Sequence, residues 1–400
     1  MAVYPNVIYD NVKKRVTSFS FDSGNGKRLF LLVFFIHVAF SCLKTTMFGF
    51  PNILFTLEKW LAVCLVLTKI AVFDKYSNKQ LIFGAALLTV SALVLVFSKY
   101  QEPLIFSIFL LGCKDVDFNK ILRCYLIGII SVLLAAFIAS RLDIIEDLVY
   151  IRDYVVERHS FGVGYPTDFA AHIFFLLCSY YYLIKDSLKK VNLLEGLLIS
   201  LLVYVYCDTR LDTISMVFLV IGIGLLQFNK VFDYNNRIYL KMKWLSGNLI
   251  PYLPVIGFVF MYFMSAWFQP NITFFRLFDN LLSGRLRLGN KAVEDYGFTL
   301  FGQNVVMRGN GGSLIGLGGN YFYIDCSYLL VYFCYGIVFL FLVFLIHYWC
   351  CKKYKSDLYY LVILTVIAAN CIVAHHMIEL AHNPFYFALL AAKKELKLPT

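Results

Sequence analysis

An all-α protein threaded many times through a membrane is the fold this chain predicts, and three observations carry the prediction. Hydrophobic residues fill 60% of its 400 positions and charged ones only 15%, more apolar surface than a soluble core of that size can hide. Apolar runs of about 20 residues, the length needed to cross a bilayer at 1.5 Å per residue, recur along it. Lysine and arginine collect in alternate connections, the pattern of cytoplasmic loops.

About twelve such runs, within a range of 11–13, begin near Phe30, Ile53, Leu81, Leu104, Ile121, Asp168, Leu193, Thr213, Leu249, Ser327, Leu358 and His382. The fourth, Leu104 to Cys113, and the last, His382 to Ala392, are short and read as half-spans or mis-paired segments. With the N-terminus inside, about 23 of the 36 Lys and Arg fall in cytoplasmic segments, about 10 in external ones and the rest in spans. Acids divide roughly 10 inside and 14 outside, leaving the inner face near +13 and the outer near −4. An even number of helices then places both termini in the cytoplasm. The net charge of +11 calls for no nucleic-acid partner.

A single transmembrane domain, residues 1–400, is therefore expected, with a cytoplasmic segment 1–29 and two long external loops, 141–167 and 269–325. The start of the chain is polar and has no signal-peptide pattern after Lys13-Lys14-Arg15. Eleven scattered cysteines read as small apolar residues rather than a disulfide framework. Long loops in a compact protein usually carry function, and both loops are rich in polar residues.

The first holds Glu157 to His172, ERHSFGVGYPTDFAAH, and enters the sixth run through Pro166 and Asp168, residues suited to a helix start. Capping accounts for Asp168 but not for Arg158. Asp208-Thr-Arg210-Leu-Asp212 is a very short turn that holds an arginine at the hydrocarbon boundary, either to snorkel or to bind an anion. Ser283-Gly-Arg285-Leu-Arg287 is a turn with two guanidiniums, and Tyr323-Ile-Asp325-Cys-Ser-Tyr328 puts an aspartate at a helix start, where an N-cap is the bland reading. Gly309 to Gly319 lacks the lysine and the strand-to-helix context of a phosphate loop. His375, His376, Glu379 and His382 have helical spacings, yet His-His-x-x-Glu is not the zinc-protease signature. No metal is expected, and packing or carbohydrate contact ranks ahead of it.

Arginines at a membrane surface suit a lipid-linked diphosphate, because guanidinium forks grip phosphate oxygens bidentately. The order Arg158-His-Ser-Phe-Gly162, Tyr165-Pro166, Thr209-Arg210, Ser283-Gly-Arg285, Leu300-Phe-Gly302, Tyr323-Ile-Asp325-Cys-Ser-Tyr328 and Gly336-Ile resembles bacterial Wzy-type O-antigen and capsular polysaccharide polymerases, especially Gram-positive ones. It covers Ile121 onward. The resemblance implies a GT-C-like membrane glycosyltransferase, related to O-antigen ligases, that joins undecaprenyl-diphosphate-linked oligosaccharide repeat units on the outer face of the plasma membrane.

The resemblance further implies that Arg158, Arg210 and Arg285 hold diphosphates and that Asp325 is the general base. His159, Arg287, Tyr323, Glu379 and His382 form the expected substrate-binding set. No cofactor or metal is implied. The partners are the lipid-linked oligosaccharide and membrane lipid, with a chain-length regulator and a flippase as candidates. The family's His-Pro-Asn is Tyr165-Pro166-Thr167 here, the Asn expected after Asp325 is Cys326, and the paired Arg-x10-Gly motifs of some Gram-negative members are absent. A ligase shares nearly every feature. A flippase predicts charges along a path through the spans, where only Lys44, Glu58 and Lys69 stand out, and a secondary transporter predicts internal repeats or broken helices near the midplane.

Overall fold

The computed structural model describes residues 23–152, 155–229, 244–245, 247–309 and 321–393. Most of the expected segment 1–29, the loop at Lys230 and the glycine-rich stretch past Gly309 lie outside them.

The chain is mainly helical: α1 Ser23–Leu43, α2 Asn52–Val72, α3 Asn78–Ser98, α4 Glu102–Gly112, α5 Phe118–Arg141, then strands β1 Val149–Arg152 and β2 Val156–His159. There follow α6 Pro166–Ile184, α7 Lys190–Cys207, α8 Arg210–Asn229, α9 Leu253–Ala266, α10 Thr273–Leu281 and α11 Arg285–Asp295. Last come α12 Ser327–Leu330, a π turn Val331–Tyr335, α13 Gly336–Lys353 and α14 Leu358–Asn370. Among the described residues, seven helices are long and apolar enough to cross a membrane: α1, α3, α5, α6, α7, α8 and the unit Ser327–Lys353. Several are apolar on all sides. Leu57, Ile82, Val96, Leu198, Val205 and Phe218 are exposed, as faces turned to lipid require.

Helix ends follow local chemistry. Ser77 and Gln80 make a capping box at α3, Asp117 caps α5, Asp357 caps α14, and Pro166 sits in the first turn of α6. Two of the ionisable residues expected within spans have local partners. Glu58 of α2 lies 3.1 Å from His37, and Lys69 donates to Asp74 at 2.8 Å and to the Lys114 carbonyl at 2.9 Å. Neither is left as an isolated charge in a low-dielectric interior.

The two short runs are half-depth elements. At about 1.5 Å per residue, α4 covers roughly 16 Å and does not cross the ~30 Å hydrocarbon layer. It is buried over almost its whole length. The final run has no α-helix but the 3₁₀ turn Phe385–Leu389, also buried. The two meet: Cys113 donates to the Phe387 carbonyl, and Ala392 pairs with the start of α5 at Asp117.

The longest apolar unit is broken. Gly336 has φ +83°, and the chain Thr299–Leu300 lies against the break, its carbonyls accepting the N–H groups of Ile337 (3.2 Å) and Val338 (3.2 Å). Gly302, φ +83°, passes so close that a Cβ there would lie 2.1 Å from the Cys334 carbonyl oxygen. Leu300-Phe-Gly302 and Gly336-Ile are thus two halves of one clasp, in which the preceding loop satisfies backbone groups that a break would strand in the membrane. Gly302→Ala should lower the unfolding temperature in detergent, by roughly 1–3 kcal/mol or more in stability, whereas Gly49→Ala, with nothing within 4 Å of its Cβ position, should not. A thermal scan of both variants checks this, and equal stability would remove the clasp.

Candidate functional site

Four segments far apart in sequence meet at one end of the bundle around a cleft of about 360 Å³. They are the β1–β2 hairpin with the start of α6, the turn before α11, the strand-like stretch Tyr321 to Asp325, and the segment after α14.

The hairpin builds the first wall by its pleat. Tyr150 pairs with Arg158 across the antiparallel ladder and Arg152 with Val156, so period-two alternation sets Tyr150, Arg152 and Arg158 on one face. All three line the cleft. Asp147 braces the opposite side, accepting from the Phe161 N–H at 2.7 Å and pairing with His159 at 2.8 Å and with Arg141. Gly162, φ +78°, passes over α5, where a Cβ would lie 2.6 Å from the Ala136 carbonyl. The carbonyls of Gly162 and Thr45 exchange hydrogen bonds with Met47 and Gly164 and tie the loop to the end of α1.

The hairpin arginines are held by the end of α7. Arg158 Nε donates to the Cys207 carbonyl at 3.0 Å. Arg152 Nη1 donates to the Asp208 carbonyl at 3.0 Å and its carboxylate at 2.7 Å. Cations belong there, where helix carbonyls lack intrahelical partners. Arg158 Nη2 is buried with no hydrogen-bond partner among the described residues. Burial pushes the Arg158 guanidinium down to about 10, Arg152 acting in the same sense, so it remains charged at neutral pH.

In the second wall Ser283 and Gly284 take left-handed conformations (φ +54° and +87°) and swing the chain into α11. Arg285 Nε donates to the Val373 carbonyl at 3.2 Å, Nη1 to the Ser283 carbonyl at 3.0 Å, and Nη2 lies 3.4 Å from Asp325. One arginine thereby joins three walls. Arg287 is exposed beside it. Asp325 is not the cap of α12: that position is Cys326, with no side-chain capping bond. Ser327 secures the fourth wall instead, its Oγ donating to the Ala374 carbonyl at 2.6 Å and accepting the Met377 N–H at 3.3 Å. Tyr323 packs edge-on to His375, ring centres 5.2 Å apart.

Of the expected residues, Arg158, Arg285, Arg287, Tyr323 and Asp325 share the cleft. Arg210 does not: its side chain is 55% exposed and turns to Asp208 at 3.5 Å, because Arg152 holds the inner side of that carboxylate. His159 faces Asp147, and Glu379 and His382 lie behind the cleft wall. Unassigned from the sequence were Arg152, Tyr150 and Tyr321, and also Asp212, which accepts from Asn370 at 3.3 Å. Asp168 lines the cleft, and its side chain makes no hydrogen bond or ion pair among the described residues, which capping does not explain. Val149 to His159 alternates about Asp153-Tyr154 in the manner of a hairpin, the signal that could have found Arg152.

A cleft with four arginines, three aspartates and several tyrosines is able to bind an anionic group, contact sugar-like faces and accept a proton. Arg158→Ala and Arg285→Ala should each weaken binding of a diphosphate probe tenfold or more, about 1.5–3 kcal/mol for a charged hydrogen bond. Arg210→Ala should change it little. Calorimetry on the detergent-solubilised variants decides, and an equal loss for Arg210→Ala would put the anion elsewhere. No family model, no curated protein and no solved structure matches this chain, so the reading of the cleft rests on its own residues.

Proposed function

We propose that the chain is a membrane glycosyltransferase of the polysaccharide-polymerase kind, joining oligosaccharide repeat units carried on undecaprenyl diphosphate at the outer face of a bacterial plasma membrane. The observation that carries this reading is the arginine cleft itself. Its cations lie in connections that the charge bias assigns to the outside, against the positive-inside tendency, and one carries a buried donor with no hydrogen-bond partner among the described residues. A diphosphate at the bilayer surface supplies the missing acceptor.

In the proposed step, a hydroxyl of the incoming lipid-linked unit attacks the anomeric carbon of the growing chain. A new glycosidic C–O bond forms as the bond to the carrier diphosphate breaks, and that diphosphate leaves with the electron pair. Asp325 takes the hydroxyl proton, while Arg158 and Arg285, with Arg152 and Arg287 beside them, offset the charge that develops on the leaving group. Tyr150, Tyr321 and Tyr323 contact the sugars. The transfer requires no metal.

The direct test is reconstitution of the purified protein in lipid with a lipid-diphosphate-linked repeat unit from its host, followed by a gel for sugar ladders. A ladder supports the polymerase. Transfer only when a lipid A or wall-polymer acceptor is added makes the protein a ligase, and no transfer under either condition rejects the reading. Asp325→Asn should lower the rate about 10²–10⁴-fold with donor binding retained. Because Asp325 caps nothing, helix loss does not explain such a result. Lysine at 158 or 285 should rescue poorly, since one ammonium replaces neither the Nε contact nor the fork.

A further inference from the structure

Between α9 and the arginine turn, the short helix α10 carries a surface that the transfer reading does not use. Its sequence is TFFRLFDNL. At 3.6 residues per turn, Phe274, Phe275, Leu277, Phe278, Leu281 and the following Leu282 fall on one side, and Thr273, Arg276, Asp279 and Asn280 on the other. The apolar side is itself divided. Phe275, Phe278 and Leu282 pack against the core, Phe275 with its ring centre 6.1 Å from that of Phe268. Phe274, Leu277 and Leu281, at i, i+3 and i+7, stay 52%, 62% and 61% exposed.

Three large apolar side chains in one row need a cover, and the neighbouring surface identifies it. On α9, Ile256, Val259, Phe260 and Phe263 form an exposed stripe at helical spacing, which Trp267 prolongs just past the helix end. That stripe belongs to the lipid-turned surface of the apolar helices. The polar turn Gln269-Pro270-Asn271 follows, then exposed Ile272 and the α10 row. Tryptophan followed by a polar turn suits the boundary between hydrocarbon and water. With nine residues, α10 covers roughly 13 Å and is too short to cross a bilayer.

We infer that α10 lies in the plane of the membrane surface, at the end of the bundle that carries the cleft, with Phe274, Leu277 and Leu281 inserted among the lipids. Helices of this kind sink their apolar face about 5–10 Å into the boundary between headgroups and acyl chains. Thr273, Arg276 and Asn280 then face headgroups and water. Asp279 couples this seat to the cleft, its carboxylate accepting the Arg287 N–H at 3.0 Å and its carbonyl the Gly284 N–H at 2.8 Å. The far side of the turn is equally fixed, since a Cβ at Gly289 of α11 would lie 2.3 Å from Ser265 Oγ of α9. Lipid contact at α10 therefore sets the depth of Ser283 to Arg287 at the headgroups, where a membrane-borne anion presents its charge. This seating follows from the membrane-spanning fold and is independent of the transfer chemistry.

The test is photocrosslinking. The photoreactive residue p-benzoylphenylalanine replaces Leu277, Leu281, Asn280 or Ile82 in turn, and each protein is irradiated in phosphatidylethanolamine–phosphatidylglycerol vesicles and weighed by mass spectrometry. Ile82, 72% exposed on α3, gives the yield of a lipid-facing position. Lipid adducts at 277 and 281 should come within about twofold of that yield, and at 280 fall roughly fivefold or more below it, as an immersed apolar face and a wet polar one require. Chain dimers crosslinked at 277 and 281 would make the row an interface between two copies. That outcome, no adduct from folded protein, or an equal lipid yield at 280 overturns the inference. If the substituted proteins do not elute as single species, unmodified protein in vesicles doped with a diazirine phospholipid decides, by whether label maps to Thr273–Leu281. No transfer is assayed, so a lipid-seated α10 without a sugar ladder counts against the polymerase alone, and a ladder without lipid adducts at α10 counts against this seating alone.

Discussion

Everything at the cleft depends on guanidinium groups satisfying backbone carbonyls where the helices end. Carbonyls at a helix terminus have no intrahelical partner, and at the edge of a membrane water is a poor substitute. Arg158 meets this need at Cys207 and Arg285 meets it at Val373, each through Nε. Because Nε is only one edge of the fork, the remaining N–H groups stay directed elsewhere. The contacts that close the bundle end are the same ones that aim positive charge into the cleft.

That coupling explains why one turn holds two arginines with different roles. Asp208 takes a left-handed conformation at the end of α7, which directs its carboxylate back toward the hairpin. Arg152 occupies the inner side and Arg210 the outer. A single residue of chain, Leu211, separates a cleft residue, Asp212, from a solvent-facing one, Arg210, where α8 begins. The clasp at Gly336 applies the same rule at depth. A break in an apolar helix persists because carbonyls from Thr299 and Leu300 replace the lost partners, and glycine at both close approaches leaves room for them.

Much of the fold was legible in the sequence because span length and hydropathy are local properties. Ten of the twelve expected runs correspond to helices of at least thirteen residues, and seven of these, among the described residues, are long and apolar enough to cross a membrane. The hairpin was not legible, because an all-helical expectation masks eleven residues of alternation. Within the site, Arg158, Arg285, Arg287, Tyr323 and Asp325 were legible from clustering and motif order, whereas Arg152 and Asp212 were not, since each becomes a cleft residue only through a partner far away in sequence. Arg210 shows the converse. Its two flanking aspartates suggested a braced anion site, but Asp208 is claimed by Arg152, whose reach across 56 residues no local pattern reveals.

The sequence by itself determined that the chain belongs in a membrane, where its long apolar helices lie, and which connections carry arginine, because burial in hydrocarbon acts on each run separately. Tertiary structure alone decided which arginines converge, that Asp325 faces Arg285 instead of capping a helix, and that His375, His376 and His382 gather on the Glu379 carboxylate. Those are distances between segments, and they exist only after the ends of α5, α7, α9 and α14 have been brought together and their stranded carbonyls satisfied.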